Sequence, residues 1–565
     1  VQIPFLLGEN MQTMATTIKT QQLRPSKLIA AIIFGVVSSS TFTHMPSAVA
    51  QTTNKSTSTP VGTNLYGIVD WSTQLPFIDA FKSSRPWITQ TSNQWNTNER
   101  QLLNLDKDGW VKSLPAKGAK SKYTHVGTLL FREIPNRFPG GKYIVLYDGQ
   151  GTINYGFAAK KIDAESKPGR DVIQVNSAEG SGIYISITAT NPNNYIRNIR
   201  VIPEKYAAQY QKGEIFNPAF LDKIKNFKVL RFMDWMQTNN SQQQAWVNRP
   251  TQQTATYSLK GAPVEVMVAL SNRVKADPWF NMPHMANDEY VTKFAQVVKQ
   301  NLNQGQKVYV EYSNEVWNTQ FEQAKWAAEQ GKKDFKTNAD DNTLRMNWHG
   351  KRTAQICDIW KRTFGNQSNR VVCVLGAQAV NTWTAAQALD TPLWKGRPSI
   401  KMDAIAIAPY FGYYLGDPKN QNQVQSWNTD KVFQEINQGG ALTGGPSGGA
   451  IASASQAMKD YAAFAKQKNI SLIAYEGGQH LVGHGGVENN QTITNLLIAA
   501  NRDKRMYDAY SRYLNEWKNA GGGLFMHFSD TGVPSKWGSW GALEYIDQNG
   551  SPKYNALMDF IRKNP

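Results

Sequence analysis

The chain is 565 residues long, 41% hydrophobic and 11% aromatic, with a formal charge of +18; that length exceeds what one core usually serves, so a large domain with a smaller companion is expected. The basic excess attracts acidic surfaces, yet the sequence shows no zinc-finger spacing, no run of Lys and Arg and no nucleic-acid module. No nucleic acid is therefore expected as a partner, and affinity for an anionic envelope polysaccharide, or simple solubility, accounts better for the charge. The 17 Trp, 23 Tyr and 23 Phe belong mainly to the core but also supply flat rings that can stack on sugar faces.

In chain order, Lys19, Arg24 and Lys27 precede the apolar run 28–37, which is followed by small polar residues and Ala48-Val49-Ala50. This pattern predicts a secretory signal peptide within residues 1–50, with upstream residues before a start at Met11 or Met14. The run is shorter than the roughly 20 residues that span a bilayer, and no later segment approaches that length, so no transmembrane segment is expected. After signal-peptide removal the protein is expected to be secreted, periplasmic or on the cell surface. Residues 51–62 read as a polar linker.

The apolar stretch 65–69, followed by a helix-like 77–82, is predicted as the first strand and helix of a barrel occupying 63–98. From Trp110 to Pro203 no helical period is present; alternating runs at 143–147 and 183–187 are separated by Gly, Pro and Asn turns. Residues 99–205 are therefore read as a β-sandwich domain inserted after the first strand-helix unit. From residue 206 onward, strands predicted at 229–233, 264–270, 308–311, 371–375, 404–408, 472–475 and 523–528 alternate with helices at 288–303, 319–330, 345–364, 452–468 and 504–520. With the first strand these make eight, and the fold class is α/β, a (β/α)₈ TIM barrel completed by 206–565. The Asn-, Gln- and Gly-rich stretch 421–449 is predicted as a long loop on the catalytic face.

Two predicted strands run into glutamates, in Glu311-Tyr312-Ser313-Asn314-Glu315-Val316-Trp317 and in Ala474-Tyr475-Glu476-Gly477. Active sites of such barrels lie at the C-terminal strand ends, and cleaving a glycosidic bond with retention needs two carboxyl groups on a rigid frame. Alternation alone does not choose between Glu311 and Glu315. Glu311 sits nearer the middle of its strand, where a satisfied buried carboxylate is the simpler reading. Asp234 and Asp530 are further carboxylates near strand ends. His480 and His484 lack a carboxylate or Cys partner at ligand spacing, no Gly-x-Ser-x-Gly elbow is present, and 444–449 lacks the Lys-Ser/Thr ending of a phosphate loop. No metal and no cofactor are expected. Cys357 and Cys373 are compatible both with a disulfide in an exported protein and with two buried thiols.

Asn314-Glu315 at the fourth strand and Glu476 at the seventh resemble the clan of retaining glycoside hydrolases built on a (β/α)₈ barrel, cellulases and mannanases among them, over 63–98 and 206–562. More narrowly, Asp277-Pro278-Trp279-Phe280-Asn281-Met282-Pro283-His284 followed by 308–318 resembles secreted, cellulase-like bacterial proteins. The resemblance implies Glu315 as acid/base, Glu476 as nucleophile and Asn314 as partner of the sugar 2-hydroxyl. It further implies Arg231 beside the nucleophile, Tyr410 as its hydroxyl donor, and His284 as the histidine after the third strand. The eighth strand departs from the pattern, since no Trp ends it; Trp537 or Trp540 would have to fold back as the sugar platform. Trp317, where the chain leaves the fourth strand, joins them as a substrate-binding candidate. The expected function is a secreted, monomeric retaining glycoside hydrolase acting on a β-linked polysaccharide such as cellulose or β-glucan. The alternative is a non-catalytic carbohydrate-binding or envelope structural protein on the same barrel.

Overall fold

The computed structural model describes residues 59–116 and 118–564; the predicted signal peptide and most of the linker lie outside the described residues. Eight parallel strands close a barrel. They are β1 (Val61–Asn64), β2 (Val229–Arg231), β3 (Asp277–Met282), β4 (Val308–Tyr312), β5 (Val371–Gly376), β6 (Ala404–Ile407), β7 (Ser471–Ala474) and β8 (Phe525–His527). Closure runs through β1 against β8, with Gly62 opposite Met526. Helices stand between the strands: Asp288–Asn301 follows β3, Glu322–Phe335 and Asp341–Phe364 both follow β4, Gly449–Lys468 follows β6 and Met506–Asn519 follows β7. One apolar cluster fills the barrel interior, from Val229, Trp279, Val374, Ala404, Ala406, Ile473, Tyr475 and Met526. Alternation carries the same inward face upward to Arg231 on β2 and Glu311 on β4, so a polar layer sits on the apolar one.

Four expected elements are corrected. The closing strand is 61–64 rather than 65–69: the Leu65 amide makes the last bond, to the Arg231 carbonyl, and the Tyr66 amide turns to the Asp530 carboxylate. Gly62 and Asn64 made the true strand look weak, but a Cβ at Gly62 would press on Met526 and the Val229 carbonyl, so the barrel interior requires glycine there. Residues 264–270 lie in a helix, Val264–Val274, that ends on left-handed Lys275. A short continuous apolar run fits a buried helix as well as a strand. Its strand role falls to β3, whose Pro278 and Asn281 lower strand propensity. The helix-like 77–82 is only a 3-10 turn, Ala80–Ser83, capped by the Asp79 carboxylate, and the stretch 421–449 contains the helices Gln421–Val424 and Thr429–Asn437.

Between β1 and the helix Pro218–Ile224 the chain forms two four-stranded antiparallel sheets. One orders Ile88–Gln90, His125–Leu130, Ile183–Thr190 and Gly151–Phe157; the other orders Arg197–Pro203, Gly141–Asp148, Arg170–Val175 and Ala159–Lys161. Sheet pairing thus begins inside the 63–98 segment assigned to the barrel, because a three-residue strand is too short to show a period. The Asp79 carboxylate ties this region to the barrel by accepting from the Val201 amide at 2.8 Å. Cys357 and Cys373 form a disulfide between the helix Asp341–Phe364 and β5. Among the described residues no helix is long and apolar enough to cross a membrane.

Gly350 marks a close helix contact in the barrel's outer layer. A Cβ there would run into the Ala388 carbonyl oxygen on the neighbouring helix, Thr382–Asp390. Gly350→Ala must push the two helices apart, and a loss of about 1–3 kcal/mol is expected from such overpacking, read as a lowered urea midpoint. An unchanged midpoint would contradict this packing.

Candidate active site

The site is built on the buried guanidinium of Arg231, which no solvent reaches. Its Nε and Nη2 donate to Glu311 Oε2 at 3.1 and 2.9 Å. Nη1 donates to Glu476 Oε1 at 2.8 Å and to Asn64 Oδ1 at 3.0 Å, and Nη2 also reaches Asn314 Oδ1 at 2.9 Å. Burial works against its charge, but the Glu311 and Glu476 carboxylates outweigh burial and hold its pKa above the ordinary arginine value. The planar fork can serve several acceptors at once, which a lysine cannot.

Glu311 proves to be the satisfied buried carboxylate. Its Oε2 also accepts from Trp279 Nε1 at 2.9 Å and Asn281 Nδ2 at 2.8 Å, and Gly376 leaves the space its Oε1 occupies. Glu315 is different. The chain leaves β4 through Ser313 and Glu315, both at positive φ, 58° and 43°, a left-handed conformation uncommon for non-glycine residues. This turn aims Glu315 to where Oε1 accepts from Tyr475 Oη at 2.9 Å and Oε2 from Asn318 Nδ2 at 2.9 Å. Both partners are neutral.

Glu476 follows β7. Besides Arg231 it accepts from Tyr410 Oη at 3.0 Å, through Oε2. Burial raises its pKa, Arg231 pulls it back, and Glu315 raises it further. Glu315 is raised by burial against the lowering hydrogen bonds of Asn318 and Tyr475. Glu476 has a cation and a hydroxyl donor that favour its ionised form, whereas Glu315 has only neutral donors and no directly bonded cation.

The structure thus brings Asn314, Arg231 and Tyr410 together with the two glutamates. Asn314 already spends its amide on Arg231 and, through Nδ2, on Asn239 Oδ1 at 3.1 Å. Trp540 also arrives, its ring edge-on to Tyr410 at 5.7 Å. Trp537 stays 48% exposed beneath Lys536. Trp317 is half-buried against the barrel-interior cluster, its indole nitrogen without a partner. His284 is buried against Trp326, burial lowers its pKa to about 4, and no hydrogen bond joins it to either glutamate. Asp530 accepts from Gln74 Nε2 at 2.7 Å and the Tyr66 amide at 2.9 Å, with burial raising it to about 7; burial raises Asp234 to about 6.

Asn64, Asn281, Tyr475 and Asn318 were missed as site residues. Asn64 and Asn281 sit on the two strands whose positions were misread, and with β1 and β3 correctly placed, an inward-facing amide at a strand end is a visible signal. Tyr475 points into the barrel by the alternation that also turns Ile473 inward, which the sequence does show.

No family model matches the chain, and no curated protein matches it. Solved structures do. A GH5-4 broad-specificity endoglucanase from Clostridium longisporum is 13% identical with a TM-score of 0.38, over 63% of this chain and 88% of that one. A GH5 xyloglucanase from Bacteroides ovatus is 8% identical with a TM-score of 0.35, over 78% and 96%. The CBM22-1 and GH10 modules of endo-1,4-β-D-xylanase 10B from Clostridium thermocellum are 10% identical with a TM-score of 0.34, over 88% and 97%. None of these reaches a TM-score of 0.5, and the functional reading rests on this chain's own residues.

Proposed function

We propose that the chain is a retaining glycoside hydrolase that cleaves β-linked polysaccharide of the cellulose or β-glucan kind, with Glu476 as nucleophile and Glu315 as acid/base. The observation that carries the reading is the unequal surroundings of two carboxyl groups at the same end of the barrel: Glu476 between Arg231 and Tyr410, Glu315 between two neutral donors. Environments that push two carboxyls apart define an acid and a base. In the first step a Glu476 oxygen attacks the anomeric carbon, the bond to the leaving oxygen breaks, and the Glu315 proton passes to that oxygen. In the second, Glu315 takes a proton from water, whose oxygen attacks the same carbon and releases Glu476 as carboxylate. The Tyr410 hydroxyl and Arg231 hold Glu476 in place for the first step and stabilise it as leaving group in the second.

We further read the two antiparallel sheets as an inserted β-sandwich, and the protein as an exported monomer. The Cys357–Cys373 disulfide supports an oxidising compartment. The test is ¹H NMR of the first reducing end released from β-glucan, β-mannan and xylan by the purified chain. The β-anomer is expected. An α-anomer would rule out double displacement, and no released sugar from any glycan, with binding retained, would favour a non-catalytic glycan-binding protein.

A further inference from the structure

We infer that Tyr413, His480 and His484 form a second sugar-binding subsite, adjoining Glu476, that takes an uncharged sugar of the β-linked chain; this rests on the glycosidase reading of Glu315 and Glu476. None of the three belongs to the catalytic arrangement. They stand on the loops after β6 and β7, beside Trp540 from the loop after β8, and make one continuous wall. Tyr410 begins it, with its hydroxyl on Glu476 Oε2 and its ring edge-on to His480 at 5.7 Å. His480 is hemmed edge-on by Tyr413 at 5.0 Å and by Trp540 at 5.1 Å. Tyr413 then lies flat on His484, at 4.4 Å and 16°, yet remains 51% exposed.

A large exposed aromatic ring braced from behind is poorly explained as core. It is the arrangement that presents a flat apolar face to a sugar ring without costly side-chain ordering on binding. The wall is also fixed before any ligand arrives. The Phe411 amide donates to the Gly478 carbonyl at 3.1 Å, the His480 amide to the Phe411 carbonyl at 2.7 Å, and the His484 amide to the Gly416 carbonyl at 3.1 Å. At Gly416 the loops approach so closely that a Cβ would meet the Val482 carbonyl oxygen.

The polar chemistry selects the ligand. His480 Nδ1 and His484 Nε2 are buried without a hydrogen-bond partner. Burial lowers His480 to about 4, so at neutral pH its ring is uncharged, one nitrogen donating and the other accepting. The charged groups acting on His484 are Asp417, which Lys419 pairs at 3.6 Å, and Glu488; Glu476 lies beyond Tyr410, paired with Arg231. A uronate at this wall would face the Glu488 carboxylate, which disfavours the anionic polysaccharide suggested by the overall charge.

The test uses the full chain carrying Glu476→Gln, so that binding is read without turnover, and titrates it calorimetrically with β-1,4-linked tetrasaccharides of glucose, of mannose and of glucuronic acid. A neutral tetrasaccharide is expected to bind, Tyr413→Ala to raise its Kd at least tenfold, Tyr413→Phe to restore it, and the glucuronate to bind more weakly. The proposal is overturned if neither neutral sugar binds, if Tyr413→Ala leaves Kd unchanged, or if the glucuronate binds as tightly. Turnover of the same tetrasaccharides by the chain with Glu476 intact separates the two readings. Tyr413-dependent binding without hydrolysis keeps the subsite and removes the enzyme, whereas hydrolysis without Tyr413-dependent binding does the reverse.

Discussion

Glu476→Ala is expected to lower kcat on β-linked glycan by on the order of 10⁴-fold or more, the scale of loss when a covalent nucleophile is removed from a catalytic unit. The chain should stay folded, because Arg231 keeps its two bonds to Glu311 Oε2 and no buried charge is left alone. The vacated space lies beside the Arg231 guanidinium and the Tyr410 hydroxyl, both ready to receive a small anion. Azide added to the variant should therefore attack the anomeric carbon in place of the carboxylate while Glu315 protonates the leaving oxygen. The product would be an α-glycosyl azide, recognisable by NMR, with turnover partly restored. Unchanged hydrolysis in the variant would refute the nucleophile role. Loss without azide rescue, in a chain that still folds and binds glycan, would leave Glu476 as a binding group only.

The barrel was legible because parallel strands buried on both faces read as short apolar runs, and six of the eight, β2 and β4 to β8, lie where those runs predict them. The other two failed for one physical reason. Gly62, Asn64 and Asn281 are placed by what the barrel interior and the site demand, not by strand propensity, and Pro278 on the outward face of β3 weakens its strand signal further, so residues at the site hid the strands that carry them. The same tension decided the glutamates. Glu311 and Glu315 look alike along the chain, and only the left-handed turns at Ser313 and Glu315 show that the chain delivers the second beyond the polar layer while the first is saturated within it. Tyr413, His480 and His484 were invisible as a group, since a stack across two loops leaves no periodic trace.

Removing the cation beneath both carboxylates should be more damaging to the fold than removing either carboxylate. Arg231→Ala strips Glu311 and Glu476 of a fully buried partner at 2.9 and 2.8 Å, and breaking a buried ion pair by deleting one member costs about 3–5 kcal/mol. Arg231→Met separates charge from volume, because it refills much of the space while leaving the same two carboxylates unpaired; it should recover little of the loss at pH 8. The sign of the pH dependence follows from Glu476. Burial already raises its pKa in the folded chain, and Arg231 is the main group that lowers it. Without Arg231 the folded state holds that proton more tightly than the unfolded chain does. The protonated, compensated form is then present at low pH, and stability drains away as pH rises above the unfolded carboxyl value of about 4.3. Both variants are thus expected to lie closer to the parent chain in urea midpoint at pH 5 than at pH 8. A deficit equal at the two pH values would mean that Arg231 supports the site through packing alone, and that the polar layer beneath the glutamates does not govern their charge.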